Sequence, residues 1–384
     1  MKYYLFISIS VRLVKSGDLI IAIMNRDLFR YKLRFISIAL IFGYAFMHVK
    51  LAGVYSGATL DEMINFTARL PFGQRMLVPA LARLLSYILP LGTYQLFFLL
   101  EVIFVALFFI ALYQLLRTIF NAERAILLSW LFFLLLPLMS IVNYRFTIEG
   151  EASFFYPADS ASLFFMALGF FFCLKQQWRW LILLIFIATF NRESSILLVL
   201  LIPALHWQQL KKVRAVFSLA LISYLLARLM VVLLTCKLPG TYSEWYFRDT
   251  SHSHFEANLL WLLADNNLLL FVFCFCGLPL FWFGFYDYIP LQYRPIRYLA
   301  LFYFLGLLLV GHFMEARIFN ELLILLYFPV CIAISRWLEE LPPFISAKQG
   351  WIYFINRYAV LAILLLIIIG RSFINPLVLW FAAN

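Results

Sequence analysis

Long, uninterrupted apolar runs dominate this chain and limit what it can fold into. Several of them, such as 94–116 and 215–236, reach the length of roughly 20 residues that a helix needs to cross a bilayer. In lipid every backbone polar group must be satisfied within the protein, so only helices or a closed β-barrel can span it. The runs are continuous and rich in Leu and Phe, whereas barrel strands alternate polar and apolar residues. The sequence therefore predicts an all-α, polytopic integral membrane helical bundle.

Composition supports the same class. Hydrophobic residues make up 65% of the chain and charged residues 13%, and the mean hydropathy is +0.94. No soluble domain of 384 residues could cover that much apolar surface. The formal net charge of +11 comes from Lys and Arg residues that are spread over short loops, so nucleic acid is not an expected partner.

The apolar runs predict about eleven transmembrane helices in one domain. The longest loop is expected at 237–267, and the run from Met76 to Leu89 is too short for a span. We expect that short run to be an interfacial helix within the first outer loop. The expected spans are 35–55, 94–116, 125–142, 160–174, the divided run 180–206, 215–236, 268–286, 298–313, 318–335 and 358–380.

The positive-inside rule gives one orientation that suits every loop. With the N-terminus inside, the inner segments hold most of the Lys and Arg residues, and the acidic motifs collect on the outer side. Residues 1–34 are then a cytoplasmic N-terminal segment, with Met24 as a candidate start of translation, and residues 35–384 form a single transmembrane domain. Carboxylates are costly near a bilayer, so their convergence on one face predicts a polar site there.

The first outer loop supplies the candidate catalytic residues. Asp61 and Glu62 are adjacent acids, either of which could act as a general base toward an acceptor hydroxyl, although a solvated loop pair is the alternative. Arg69 and Arg75 follow closely and suggest a charged pocket. A cation at the membrane edge also suits an anionic lipid phosphate, so Arg75 is a candidate phosphate ligand, or else an arginine that extends to the interface.

Three further motifs reach the same side. Asp159 lies at the mouth of a span, where it either caps the helix or contacts substrate. The triplet Asn191, Arg192 and Glu193 interrupts an apolar run, and it either pairs across the bundle or binds substrate.

The third motif is Met314-Glu315-Ala-Arg317, followed by Glu321. Arg317 and Glu321 are four residues apart and could pair on one helix face, which would leave Glu315 for a ligand. We also expect Arg192 and Arg317 to lie close to carboxylates, because an unpaired arginine near the membrane core is costly.

The 237–267 segment carries aromatic residues with Arg248 and His254, which could stack on a sugar and neutralise a phosphate. His252 and His254 have a spacing that places both on one face only in a strand. No metal site is therefore assigned. No cofactor is predicted, and the sequence offers no support for a divalent metal.

Taken together, these residues resemble the GT-C superfamily of polytopic membrane glycosyltransferases. The likeness covers most of the chain as topology, with the stretches PFGQRMLVPALARLL, NRES and MEAR similar to an uncharacterised bacterial branch. It implies a polyprenyl-phosphate-linked sugar as donor, Asp61 or Glu62 as catalytic base and a multi-pass location in the bacterial inner membrane, with membrane lipid as a further partner. The chain lacks a WWDYG motif and a large soluble C-terminal domain, unlike common oligosaccharyltransferases.

Two other functions remain open at this point. A long outer segment with Arg and His residues also suits an O-antigen polymerase or ligase. A transporter or flippase of lipid-linked glycan would place its charges near the bilayer midplane in matching halves, whereas the charges here lie toward one face. The sequence does not name the sugar, the acceptor or the oligomeric state.

Overall fold

The computed structural model describes residues 31–142, 154–243, 253–344 and 350–383. Their regular structure is helical, apart from isolated bridge residues such as the pair Gly53 and Phe154. Residues 1–30, which include the candidate start at Met24, lie outside the described residues, as does Arg248. The all-α expectation is therefore confirmed for the part of the chain that is described.

The described residues form sixteen α-helices. In chain order they are α1 Tyr31–Lys50, α2 Leu60–Ile64, α3 Leu77–Ser86, α4 Thr93–Leu116, α5 Ala122–Pro137, α6 Ala158–Leu174, α7 Trp178–Asn191, α8 Ile196–Leu205, α9 Leu210–Thr235, α10 His254–Leu263, α11 Asn267–Cys274, α12 Leu278–Gly284, α13 Ile296–Val310, α14 Asn320–Leu338, α15 Trp351–Ile369 and α16 Arg371–Ala383.

Six of the described helices are long and apolar enough to cross a membrane, namely α1, α4, α5, α9, α13 and α14 with their flanking turns. Two bent pairs raise the number to eight if each pair forms one span: α10 with α11, bent by 100°, and α15 with α16, bent by 77°. Helices α3, α6, α7 and α8 are apolar but shorter. A multi-pass membrane protein fits these lengths, and the figure of about eleven spans stays a prediction.

Two expected boundaries are wrong. The predicted span 268–286 is broken, because Cys276 and Gly277 both have positive φ angles, of 55° and 66°, which end one helix before α12 begins. The predicted loop 237–267 contains helix α10. This helix begins where the Ser253 hydroxyl accepts a hydrogen bond from the Glu256 N–H, a side-chain cap that satisfies one of the free N–H groups of the first turn.

The short helix expected in the first outer loop is present as α3. Its Pro79 lies in the first turn, where backbone N–H groups have no intrahelical partner, so the proline does not break it. Val78 and Ala82 are buried, whereas Leu84 and Ile88, near and just beyond the end of the helix, are exposed apolar residues. This two-sided character fits a helix that packs on the bundle and also faces lipid.

Helices α6 and α14 form the centre of the bundle. Every residue of α14 from Asn320 to Ala333 is buried, and α6 packs against α14, α4, α7 and α8. The first residues of α6 and α14 therefore lie in the protein interior although they are at helix ends. This arrangement brings polar residues at those two ends into one buried cluster.

Candidate functional site

The site is built where three chain breaks meet. Helix α7 ends at Asn191, Arg192 adopts an extended conformation (φ −160°, ψ 144°), and a short 3-10 turn, Glu193–Ser195, leads into α8. The Asn191 amide donates to the Ala158 carbonyl at 3.0 Å and to the Ser162 hydroxyl at 2.9 Å, which ties this break to the start of α6. The polar triplet thus interrupts the apolar run as expected.

A buried ion cluster occupies this junction. Asp159 receives Arg192 Nη1 on Oδ1 at 3.2 Å and Arg317 Nη1 on Oδ2 at 3.0 Å. Arg192 Nη1 also lies 3.3 Å from Glu321 Oε1. The side chains of all four residues are almost fully buried. The expectation that Arg192 and Arg317 lie close to carboxylates is confirmed.

Hydrogen bonds from neutral groups complete the cluster around Glu321. The Ser194 hydroxyl donates to Glu321 Oε1 at 2.6 Å, and the Tyr303 hydroxyl lies 3.3 Å from Oε2. Buried charges are tolerated when they are both paired and hydrogen-bonded. The break after α7, the start of α14 and helix α13 are therefore joined through one carboxylate.

Two predicted contacts are wrong. Asp159 does not cap α6, because its carboxylate turns to the two arginines and no side chain caps that helix. Arg317 does not pair with Glu321, since it lies in a 3-10 turn, Ala316–Phe319, where the spacing of an α-helix does not apply. Arg317 instead binds Asp159 and Glu315. Glu315 is therefore an ion-pair partner of Arg317. The Arg317–Glu321 pair that was expected to leave Glu315 for a ligand does not form.

The aromatic ring of Tyr156 contacts two arginines. Its ring stacks on Phe72 at 5.4 Å, and the guanidinium carbon of Arg317 lies 3.8 Å from its ring centre. Arg75 approaches the same ring at 5.9 Å. Burial raises the pKa of the Tyr156 hydroxyl above its ordinary value, although Arg317 acts in the opposite direction. The hydroxyl therefore stays neutral at working pH.

The open edge of the site is formed by Arg75 and Glu193. Arg75 Nη2 lies 3.7 Å from Glu193 Oε1, too far for a hydrogen bond, and the two side chains are 15% and 40% exposed. The segment that precedes α3 is held there by its backbone, because the N–H of Met76 donates to the Phe190 carbonyl at 2.8 Å. Arg75 is thus fixed in place and still accessible.

Asp61 and Glu62 lie on the short helix α2, at the end of the bundle where α4 begins. The Thr93 hydroxyl donates to Asp61 Oδ1 at 2.6 Å. Glu62 Oε2 accepts from the Thr59 N–H at 2.8 Å in a capping box, so this carboxylate also has a local structural role. Both residues are exposed. Within the described residues, no ion pair or hydrogen bond joins either one to the Asp159 cluster.

The remaining predicted ligands lie around the same end. Arg69 Nε donates to the Leu70 carbonyl at 3.4 Å, and Leu70 is tied to the chain after α9 through Pro239. His254 is buried, and its ring lies 6.2 Å from that of His312. The carbonyl of His312 in turn accepts the N–H of Glu315. His254 is thus next to the Glu315 turn, whereas Arg248 lies outside the described residues.

A second buried polar group was not predicted. His48 Nδ1 lies 2.8 Å from Glu101 Oε1, which also accepts the Ser160 hydroxyl at 2.5 Å. Ser160 follows Asp159, so this group adjoins the ion cluster. A sequence signal existed: Glu101 stands alone in an apolar run, and an ionisable residue inside a span points to a partner or a function.

Within the described ranges, no three His, Cys, Asp or Glu residues form a group that could hold a metal ion. Comparison with known protein families and with characterised proteins gave no match.

Proposed function

We propose that the protein is a glycosyltransferase of the bacterial inner membrane, a member of the GT-C superfamily. It transfers a sugar from a polyprenyl-phosphate donor to an acceptor at the periplasmic face. The main support for this proposal is that Arg75 is held in place without a close ion-pair partner. Two aromatic rings and a backbone anchor hold this arginine at the edge of a buried charge cluster, yet Glu193, its ion-pair partner, is 3.7 Å away.

An arginine in this state suits a phosphate group. Its guanidinium offers several donors in a planar fork that matches phosphate oxygens, and a partly exposed position lets a lipid headgroup reach it. The exposed apolar residues Leu84 and Ile88 lie near the end of the adjoining helix α3 and give a surface along which a polyprenyl chain would lie. A donor phosphate at Arg75 would thus have its lipid tail in the membrane.

The buried cluster supports this role without taking part in proton transfer. Both oxygens of Asp159 are occupied by arginines, so Asp159 is not available as a base. Its function is to hold Arg192 and Arg317 in place. Arg317 in turn packs on Tyr156, the ring that also faces Arg75. The phosphate-binding arginine therefore rests on a rigid support, as precise electrostatic stabilisation requires.

Asp61 is the proposed base. It is exposed and fixed by Thr93, and its Oδ2 atom accepts no hydrogen bond from the described residues. In the reaction, Asp61 takes the proton of the acceptor hydroxyl while that oxygen attacks the anomeric carbon. The bond between this carbon and the phosphate oxygen breaks, and polyprenyl phosphate leaves with its negative charge stabilised by Arg75. Arg248 and His254 are proposed as further phosphate ligands.

A deletion strain tests the proposal. We expect the polyprenyl-phosphate sugar to accumulate and one envelope glycan to lack a sugar, as measured by mass spectrometry of lipid extracts and released glycans. Expression of the wild-type protein should reverse both changes, and expression of Asp61→Asn should reverse neither. The matched control is Glu62→Gln, which changes the adjacent exposed carboxylate and should reverse both changes as wild type does. If the lipid-linked glycan is complete but is retained on the inner leaflet of the deletion strain, the result would instead support a flippase.

A further inference from the structure

A second group of arginines lies at the opposite end of the bundle. Helix α13 runs from Ile296 to Val310, where it approaches the Glu315 turn, so its first residues lie about 22 Å from that turn at 1.5 Å per residue. Arg294 and Arg297 flank this N-terminus and are 7% and 8% exposed. The positive-inside rule predicts that they lie on the cytoplasmic side.

Neither arginine is neutralised by a carboxylate among the described residues. Arg294 donates to the carbonyls of Ile289 and Asp287. Arg297 donates to the hydroxyl of Tyr286, and to that of Tyr298 at 2.8 Å, while its Nε has no hydrogen-bond partner in the described part of the chain. Each guanidinium also lies over an aromatic ring, Arg294 over Tyr286 at 4.4 Å and Arg297 over Tyr298 at 4.6 Å. No carboxylate of the described residues forms an ion pair with either one, so the positive charges are not balanced by negative ones.

The carboxylate of Asp287, whose backbone carbonyl binds Arg294, is paired elsewhere. The carboxylate of Asp287 lies 3.0 Å from Arg357 Nη1 and also binds the Tyr353 hydroxyl. The charged groups described here are therefore three arginines and one aspartate, which leaves a net charge of about +2. The N-terminus of α13 adds the positive end of its helix dipole to the same place.

Arg294 and Arg297 line a cavity of about 1140 Å³. Its polar part contains Arg294, Arg297 and Tyr298, and its apolar wall comes from Leu200 of α8 and from Leu299 and Phe302 of α13. Phe302 is 58% exposed, so the wall continues onto the lipid-facing surface. A charged pocket that opens along an apolar wall fits a molecule with an anionic head and a hydrocarbon tail.

We infer that this cavity binds an anionic phospholipid of the cytoplasmic leaflet. The phosphate lies against Arg294 and Arg297, and an acyl chain follows Leu299 and Phe302 into the bilayer. The site is separate from the proposed transfer reaction at the outer face and does not depend on it. Basic pockets between helices on the cytoplasmic side are suited to such headgroups.

An adjoining cavity has room for the rest of the headgroup. It measures about 410 Å³ and shares Trp207, Leu291 and Pro295 with the first cavity. Its lining includes the polar residues Lys175 and Gln176. A phospholipid with a polar or second anionic group beyond the phosphate would therefore find hydrogen-bonding partners there.

Native mass spectrometry of the full-length protein tests the inference. The purified protein is titrated with phosphatidylglycerol, with phosphatidylcholine and with a polyprenyl phosphate. We expect phosphatidylglycerol to bind more tightly than phosphatidylcholine, and Arg297→Gln to weaken phosphatidylglycerol about fivefold, the effect of one basic residue near a lipid phosphate. Arg297→Lys should retain most of the binding. Arg179→Gln is the matched control, because Arg179 is an exposed residue predicted on the same side and outside both cavities.

Hydrogen exchange on the wild-type protein keeps the test independent of variants that fail to fold. Added phosphatidylglycerol should slow exchange in 291–302, and inorganic phosphate at the same concentration should not. Equal binding of phosphatidylglycerol and phosphatidylcholine would overturn the inference, as would equal protection by inorganic phosphate. Protection of 291–302 by polyprenyl phosphate at a lower concentration than phosphatidylglycerol would also overturn it, because the ligand of this cavity would then be a lipid carrier.

Discussion

Arg192 reaches back across the bundle to Asp159, placing Nη1 3.2 Å from Oδ1 although the residues are 33 positions apart in the chain. Both side chains are almost completely buried. Arg317 binds the second oxygen of the same carboxylate, so one aspartate holds two arginines. The start of α6, the end of α7 and the turn before α14 are thereby locked together, and the partly exposed Arg75 rests against this support through Tyr156.

Asp159→Asn should strongly destabilise the protein. The change leaves Arg192 and Arg317 as buried charges with fewer partners, which typically costs about 3–5 kcal/mol. Thermal unfolding of the detergent-solubilised protein measures this effect. Asp61→Asn is the control, because Asp61 is exposed and outside the cluster. If Asp159→Asn and Asp61→Asn unfold at the same temperature as wild type, the support role of Asp159 is wrong.

His48 and Glu101 should be energetically coupled. Each single change to Leu leaves the other polar group buried without its partner, whereas the double change replaces both with apolar side chains. In a double-mutant cycle of unfolding free energies, we expect a coupling of about 0.5–3 kcal/mol. If the free-energy changes of the two single variants add up to that of the double variant, the coupling energy between His48 and Glu101 is zero and the prediction is wrong.

Arg75→Gln should reduce transfer about 10²-fold or more while leaving stability almost unchanged, since one preorganised donor to developing charge is worth that much. Arg75→Lys should be intermediate, because lysine keeps the charge but loses the planar fork. Arg83→Gln is the matched control, since Arg83 lies on the adjoining helix α3. Equal activities of Arg75→Gln and Arg83→Gln would remove Arg75 from the phosphate site.

Tyr156 gives a pH prediction. Burial raises the pKa of its hydroxyl in the folded protein above the ordinary value of 10.0, so the neutral form is favoured by folding. This contribution to stability is fully present below pH 10.0 and is lost as the pH rises further. The melting temperature of the wild type should therefore fall more steeply than that of Tyr156→Phe above pH 10.0. Below pH 10.0 the two melting temperatures should change with pH in the same way. Parallel melting temperatures up to about pH 11, one unit above the ordinary tyrosine pKa, would contradict the buried, neutral hydroxyl.

The sequence allowed the helical membrane class and the position of several breaks to be predicted. Polar triplets in apolar runs are expensive, so the interruption at Arg192 and the turn at Arg317 were both visible from local pattern. Partner choice was not visible. Arg317 pairs with Asp159, and Glu321 with Arg192, because the backbone leaves the α-helix at each break and residue spacing no longer tells which side chains meet.

Other features depended on contacts that the local pattern does not show. Helix α10 is not apparent from the sequence because the segment mixes polar and aromatic residues, and its start depends on the cap at Ser253. The break near Gly277 lies in continuous apolar sequence, where periodicity gives no boundary. Arg294 and Arg297 are visible in the sequence only as a topology signal, because the folded chain must bring Tyr286 to Arg297 before a buried guanidinium without a carboxylate partner can be recognised.

The central claim is tested most directly by transfer from a defined donor. Purified protein in liposomes is given a radiolabelled polyprenyl-phosphate sugar and a set of acceptors, and the product is quantified for wild type, Asp61→Asn and Glu62→Gln. We predict product with wild type and Glu62→Gln, and a rate lower by about 10² to 10⁴ with Asp61→Asn, the usual effect of losing a general base. Wild-type rates for both variants, in correctly inserted protein, would contradict the proposed mechanism.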